Sequence, residues 1–278
     1  MNIFILFIGL ISCQKDFAAP PPGSLLYDTI PVINAVNPII EEASGIADSK
    51  LNPGHLWVQE DSGNPPELFL LKHNGVIQRT VFINDATNRD WEDMLLFDGF
   101  IYVADIGDNT EVYSNYMIYR FPEPDAAIDT VQAPEKINFS YPDGSHDAEA
   151  FLLEPRSKAI YIITKRGARS GIYRLNFPYT QNQVVAKVGE LPFNGVTGAA
   201  LSAGGKTILL RTYFGIFHYN HHAGKSIEQT LLGAYTTLKH ILEPQGESIT
   251  FSLYNGGFYT LSEKGFASSV NLNYYPKK

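Results

Sequence analysis

The sequence predicts an all-β protein, a β-propeller of five four-stranded blades, and three observations carry that prediction. Its 278 residues are 44% hydrophobic and 13% aromatic but only 18% charged, which is enough apolar material for a large core. The 23 Gly and 17 Pro are spread along the chain between short β-favouring runs, with no long apolar segment after the first dozen residues. A single pattern then occurs five times: small or acidic residues, an alternating apolar run, a turn, and a run rich in Tyr, Phe and Leu.

The five units begin at Glu42-Ala43-Ser44-Gly45-Ile46, Asp90-Trp91-Glu92-Asp93-Met94, Asp147-Ala148-Glu149-Ala150-Phe151, Val196-Thr197-Gly198-Ala199-Ala200 and Gln245-Gly246-Glu247-Ser248-Ile249. Aligned on Ser44, Glu92, Glu149, Gly198 and Glu247, they are spaced by 48, 57, 49 and 49 residues, a period that suits four-stranded blades. In the second unit the strands are read as Trp91 to Phe97, Phe100 to Ala104, Tyr116 to Phe121 and Lys136 to Tyr141. In the third they are Ala148 to Leu153, Ala159 to Thr164, Gly171 to Asn176 and Gln183 to Val188. The fifth unit, Gly246 to about Tyr275, holds three strands, whereas Leu25 to Val36 is strand-like and precedes the first unit. Placing that N-terminal strand outermost in the last blade closes the ring and removes two exposed edges. Six blades, or an open sandwich, are the alternative architectures.

Three parts are expected along the chain: a signal peptide over 1–12, a lipidated Cys with a flexible tether over 13–24, and one propeller domain over 25–278. Cys13 is the only cysteine, so no disulfide forms within the chain. It follows the apolar run Ile3 to Ile11, and Leu10-Ile11-Ser12-Cys13 resembles the lipobox of bacterial lipoproteins, which implies export and anchoring to the cell envelope. The run is short and lacks a Lys or Arg before it, and a buried N-terminal strand with an ordinary core Cys is the other reading. A membrane-spanning helix would need roughly 20 apolar residues. The net charge of −8 and pI near 5.4 come without a basic stripe, which excludes sequence-independent nucleic-acid binding.

Residues i and i+2 of a strand share a face, so Asp90 and Glu92, and likewise Asp147 and Glu149, point together toward the channel. Gln245 with Glu247 and Glu42 with Ser44 occupy the same positions, and the fourth unit offers Val196 and Gly198. About five carboxylates gathered in one space repel unless a cation, an arginine or protons compensate. A hard cation such as Ca²⁺, which takes oxygen ligands with tolerant geometry, is the simplest compensation. The metal candidates are Glu42, Asp90, Glu92, Asp147, Glu149, Glu247 and Asp105. Loops Asp61-Ser62-Gly63-Asn64 and Asp105-Ile106-Gly107-Asp108-Asn109 add possible oxygens through Asp61, Asn64, Asp108 and Asn109, or simply make tight turns. Lys165, Arg166 and Arg211 end second strands at positions matched to Asp105; they bind an anionic ligand or pair with the acids. His218, His221 and His222 read as a solvated turn after a third strand.

The stretches Glu42 to Ala47, Asp90-Trp91-Glu92-Asp93, Tyr102 to Asn109 and Ile118-Tyr119-Arg120-Phe121 resemble bacterial lipoprotein and secreted propellers related to the SdiA-regulated and esterase-like-phytase groups. The resemblance covers nearly the whole folded part and implies a calcium-bearing propeller. Many such relatives carry an acid in the Thr-Gly-Ala segment, where this chain has Ala200. Two functions from different classes follow. One is a non-catalytic, monomeric binding or scaffold module held to the membrane only by its lipid, with an envelope protein, a glycan or a small anionic ligand as partner. The other is a calcium-dependent hydrolase of a phosphate ester, with Glu92 or Glu149 as base and Arg211 stabilising charge. The sequence has no Gly-x-Ser-x-Gly elbow, P-loop or dinucleotide fingerprint.

Overall fold

The computed structural model describes residues 26–254 and 256–278; Cys13, the signal peptide and the tether lie outside the described residues. The chain begins with β1 (Val32–Ala35). The first blade follows with β2 (Ala43–Asp48), β3 (His55–Glu60), β4 (Glu67–Lys72) and β5 (Ile77–Ile83). The second contains β6 (Trp91–Phe97), β7 (Phe100–Asp105), β8 (Tyr116–Pro122) and β10 (Glu135–Ser140), and the short β9 (Thr130–Val131) between the last two joins the first blade's sheet. The third is β11 (Ala148–Leu153), β12 (Ile160–Thr164), β13 (Gly171–Leu175) and β15 (Ala186–Glu190), and the short β14 (Gln183–Val184) before β15 joins the second blade's sheet. The fourth is β16 (Val196–Leu201), β17 (Thr207–Thr212), β18 (Ile216–Asn220), the helix α1 (Ile227–Leu231) and β19 (Thr236–Leu238). Strands β20 (Gly246–Phe251), β21 (Phe258–Ser262) and β22 (Asn271–Tyr275) complete the fifth.

Five sheets result, each built on an antiparallel meander with β2, β6, β11, β16 and β20 innermost, so the five-bladed reading holds and the six-bladed one does not. The ring closes as the sequence implies: β1 pairs antiparallel with β22, Val32 opposite Tyr274 and Ala35 opposite Asn271. The hairpins have local causes. Between β6 and β7, Asp98 and Gly99 both take positive φ, 51° and 78°, as a two-residue type I′ turn requires.

Two details depart from the sequence reading. The stretch from Gln183 to Val188 is not one strand: β14 pairs in parallel with β10 of the preceding blade before β15 joins its own. Val185, buried between the second and third blades, is the pivot. In the same way β9 runs parallel to β5, so two short segments cover sheet edges that would otherwise invite pairing. The helix α1 was not anticipated; Ser226 and Gln229 form its capping box, and Ile227 and Leu231 are buried against the third and fourth blades.

The core is divided into five apolar clusters, one at each seam between neighbouring blades. Trp57 of the first blade meets Trp91 and Tyr119 of the second, and Phe139 meets Phe151 and Tyr173 across the next seam. The last two seams, around Phe258 and Tyr275 and around Tyr259 and Leu272, are built partly by the closing blade. Burying these rings inside the seams fixes the blades radially and leaves their innermost strands to line the channel.

Candidate functional site at the channel mouth

Every innermost strand carries a β-bulge at the same height. Pairing is interrupted between Ala43 and Gly45, Trp91 and Asp93, Ala148 and Ala150, Val196 and Gly198, and Gly246 and Ser248. The extra residues are therefore Ser44, Glu92, Glu149, Thr197 and Glu247. A bulge re-aims the residue it inserts, and these five form a ring at the mouth. The fourth member is Thr197 and not Gly198, so the sequence alignment of that unit slips by one. The slip arises because Thr-Gly carries no acid to mark the register. The two hydroxyls tie adjacent blades: Ser44 Oγ donates to the Glu92 carbonyl at 2.5 Å, and Thr197 Oγ1 to that of Gly246 at 2.9 Å.

Above this ring sits a second one, placed by backbone bonds from the residue after the second strand (for Gly107 the second residue after it) to the residue before the first. Asp61 N bonds Glu42 O at 2.9 Å, Gly107 N bonds Asp90 O at 3.1 Å, Lys165 N bonds Asp147 O at 2.8 Å and Glu263 N bonds Gln245 O at 3.3 Å. Tyr213 takes the remaining place, its hydroxyl donating to Glu247 Oε1 at 3.1 Å. Gly107 is dictated by space: a Cβ there would lie 2.2 Å from Glu92 Oε1 and 2.6 Å from Asp90 Oδ2. Replacing Gly107 with Ala is expected to push both carboxylates aside and destabilise the fold by about 1–3 kcal/mol, readable in urea unfolding.

The two rings, with Asp90 and Asp147 just before the first strands, bring seven acids together: Asp61, Asp90, Glu92, Asp147, Glu149, Glu247 and Glu263. Oxygens of Asp61, Asp90 and Glu92 lie within 4.8 Å of one another, as do those of Glu92, Asp147 and Glu149, so Glu92 is shared by both groups. Two cations face them. Lys165 Nζ pairs closely with Glu149 Oε1, and Arg166 Nε with Asp147 Oδ2 at 2.6 Å.

That compensation is incomplete, and the acids show it. Burial pushes Glu149 up to about 8 even though Lys165 pulls the other way. Asp90 rises to about 6 through burial and the neighbouring Asp61. Glu92 is driven well above the ordinary range by burial, then by Glu149, Asp61 and Glu247. Glu247 is likewise driven up by burial, then by Glu149 and Glu263. Burial also works against the charge of Lys165, yet Glu149 holds it firmly protonated. Three buried carboxylate oxygens, Asp90 Oδ1, Glu149 Oε2 and Glu247 Oε2, have no hydrogen-bond partner. Such atoms are costly unless something supplies positive charge. The donor set is all oxygen, which suits a hard divalent cation and not zinc.

The other candidates have different places. Glu42 is exposed and bonds Asn64 Nδ2 at 2.6 Å, outside both carboxylate groups. Asp105 accepts the Asp90 N–H at 2.9 Å and faces Arg89, so it orients the mouth from behind. Asp108 accepts from Val112 N, Tyr113 N and Tyr116 OH, which makes it a loop organiser. Asn109 accepts from Arg166 and thereby steadies the cation beside Asp147. Arg211 does not match Asp105: the register pairs Arg211 with Gly198 but Asp105 with Trp91. Its guanidinium is buried in the seam between the fourth and fifth blades, on Glu243 at 3.0 Å and the Ser248 carbonyl at 2.8 Å. Ala200 lies three residues beyond the bulge, in the far half of the channel, so its lack of an acid leaves the mouth untouched. His218 is a buried member of β18 and not part of a turn.

The sequence reading missed Glu263, Tyr213 and Glu243, and gave Asp93 no role beyond its motif. Aligning second strands as well as first strands would have put Glu263 and Tyr213 beside Asp61 and Lys165. Asp93 is almost fully buried, and its carboxyl accepts Met94 N at 2.8 Å, Phe151 N at 3.1 Å and the Ala199 N–H. It thus closes the channel below the acid rings by clamping three innermost strands.

No family model and no curated protein matches this chain. Among solved structures it is similar to an auxiliary nutrient binding protein from Bacteroides thetaiotaomicron, at 9% identity over 90% of this chain and 73% of that one, with a TM-score of 0.51. It also aligns with the PQQ-bound aldose sugar dehydrogenase of Streptomyces coelicolor, at 6% identity over 91% and 100% of the two chains and a TM-score of 0.49. A third is Kuenenia stuttgartiensis hydrazine synthase, at 10% identity, 83% coverage of this chain and a TM-score of 0.43; the chain spans 58% of that protein's length. Likeness at such identities is one of fold, and function has to be argued from the site.

Proposed function

We propose that this chain is a lipid-anchored propeller of the cell envelope, a non-catalytic binding or scaffold module whose mouth holds a Ca²⁺ ion. The observation that carries the reading is the trio of buried, unpartnered oxygens on Asp90, Glu149 and Glu247, within a set of seven acids faced by two cations. Glu92, shared by the two carboxylate groups, would be the central ligand, with Asp61, Asp90, Asp147 and Glu149 around it. The ion would supply the charge that Lys165 and Arg166 leave lacking. The Leu10-Ile11-Ser12-Cys13 stretch supports the anchor. Among the described residues no helix is long and apolar enough to cross a membrane. Tyr27 bridges Lys277 beyond the end of β22 that lies farthest from the mouth, so an anchored chain would present the mouth away from its tether.

The hydrolase reading loses its charge-stabilising residue, because Arg211 is committed to Glu243 and Ser248 in a seam. Lys165 and Arg166 are bound to Glu149 and Asp147. The test is calorimetric titration of Ca²⁺ into chelator-stripped protein, beside the Glu92→Gln, Glu149→Gln double variant. Saturable binding is expected, with stabilisation of about 2.7 kcal/mol at a hundredfold excess over Kd, and both are expected to vanish in the variant. Absence of binding to the wild-type chain, or equal binding to the variant, would overturn the reading.

A further inference from the structure

The channel has a second end. Below the Asp93 clamp the innermost strands open into a cavity of about 160 Å³, on the face opposite the mouth and chemically unlike it. Its wall is largely aliphatic and aromatic, with Met94, Leu96, Phe97 and Leu201 among its residues beside the polar Asp48, Ser202 and Thr250. Leu96, Phe97 and Leu201 are only partly buried although they belong to innermost strands. Space exists because Ala47 and Ala200 stand where other blades carry larger side chains: Leu95, Leu152 and Thr250 occupy the same position after the bulge.

The polar groups of this wall are mostly engaged. Asp48 bonds His73 Nε2 at 2.8 Å through one oxygen and accepts Leu253 N at 2.7 Å through the other. Ser202 Oγ accepts Lys206 N and Thr207 N. The N–H groups of Phe151 and Ala199, which border the cavity, already bond Asp93 on its inner side. What remains is the side chain of Thr250. A wall of this kind offers mainly dispersion contacts, with hydrogen bonding limited to Thr250 and the remaining capacity of Ser202 and Asp48. A charged or polyhydroxylated guest would lose its hydration without replacement, whereas apolar cavities of roughly 150 Å³ accept benzene-sized guests.

The structure assigns to this cavity a binding site for a small, uncharged, largely apolar molecule of about the size of one six-membered ring. The site is separate from the acidic mouth, since the Asp93 clamp lies between them. The experiment is NMR of the full chain carrying ¹³C-methyl methionine, titrated with benzene. Met94 lines the cavity; Met117 packs on the same seam cluster as Met94 but does not line the cavity, and serves as an internal control. Saturable movement of the Met94 methyl is expected, with Met117 unmoved. The movement should be lost in Ala200→Phe, which fills the cavity, and weakened at least fivefold in Ala203→Leu, which narrows its lip without entering the core. Glu92→Gln should leave it unchanged. No saturable shift of Met94, or an unaltered shift in both alanine variants, overturns the assignment; loss in Glu92→Gln would overturn the separation of the two ends.

Discussion

Replacing Asp93 with alanine is expected to lower the unfolding free energy by about 4–6 kcal/mol, a drop on the order of 10 °C or more in Tm for a chain of this size. The side chain is almost fully buried and serves three innermost strands at once: β6 through Met94, β11 through Phe151 and β16 through Ala199. Alanine would leave three buried N–H groups without an acceptor, and each such group costs about 1–3 kcal/mol. Part of that loss is offset, because burial drives Asp93 well above the ordinary carboxylate range despite the three donors, and alanine removes that strain. Asn keeps one acceptor oxygen but turns an NH₂ group toward N–H donors, so Asp93→Asn should fall between wild type and alanine. Denaturant unfolding of the three proteins reads the order directly. An alanine variant within about 1 kcal/mol of wild type would mean that water or a small backbone shift replaces the clamp.

The architecture was legible in the sequence because propeller blades are built from local repeats. The period of the unit starts, the turn residues such as Asp98-Gly99 and the surplus strand before the first unit were enough to place five blades and the closure. The acids of the first strands were legible for the same reason, since Glu92, Glu149 and Glu247 repeat at one position and Asp90 and Asp147 at the position two before it. The upper ring was less visible because its members, Asp61, Gly107, Lys165, Tyr213 and Glu263, share a backbone position but no chemistry. Arg211 was misplaced by one residue. In a strand a slip of one turns the side chain to the other face, here from the mouth into a seam beside Glu243. The clamp and the far cavity depend on contacts across the ring axis, between strands dozens of residues apart, and no local pattern encodes them.

Chelator-treated protein should lose stability as pH rises from about 6.5 to 8.5, against the usual trend near neutrality. The mouth carboxyls have raised pKa values, so the folded state keeps protons that the unfolded chain releases near pH 4.5. Above that point the unfolded state is the more deprotonated, and stability falls by about 1.4 kcal/mol per pH unit for each proton still held by the fold. For Glu149 the fall ends as pH passes about 8. Glu92 and Glu247, both driven well above their ordinary range by burial, act in the same direction. Below pH 6.5 the trend is masked. Asp90 and Asp105, each near 6, push stability down as pH rises, but His218, His221 and His240 are shifted down by burial and push it up until they match the unfolded chain. Asp143, Glu190 and Glu228, shifted down, act only in more acidic solution. Glu149 by itself sets a loss of about 2 kcal/mol between about pH 6.5 and its titration near 8, visible as a steadily falling Tm in melts at constant ionic strength. Glu149→Gln should flatten the slope by removing one titrating group, and a Tm that holds level or climbs through the window would show that these carboxyls are already ionised and compensated in the fold.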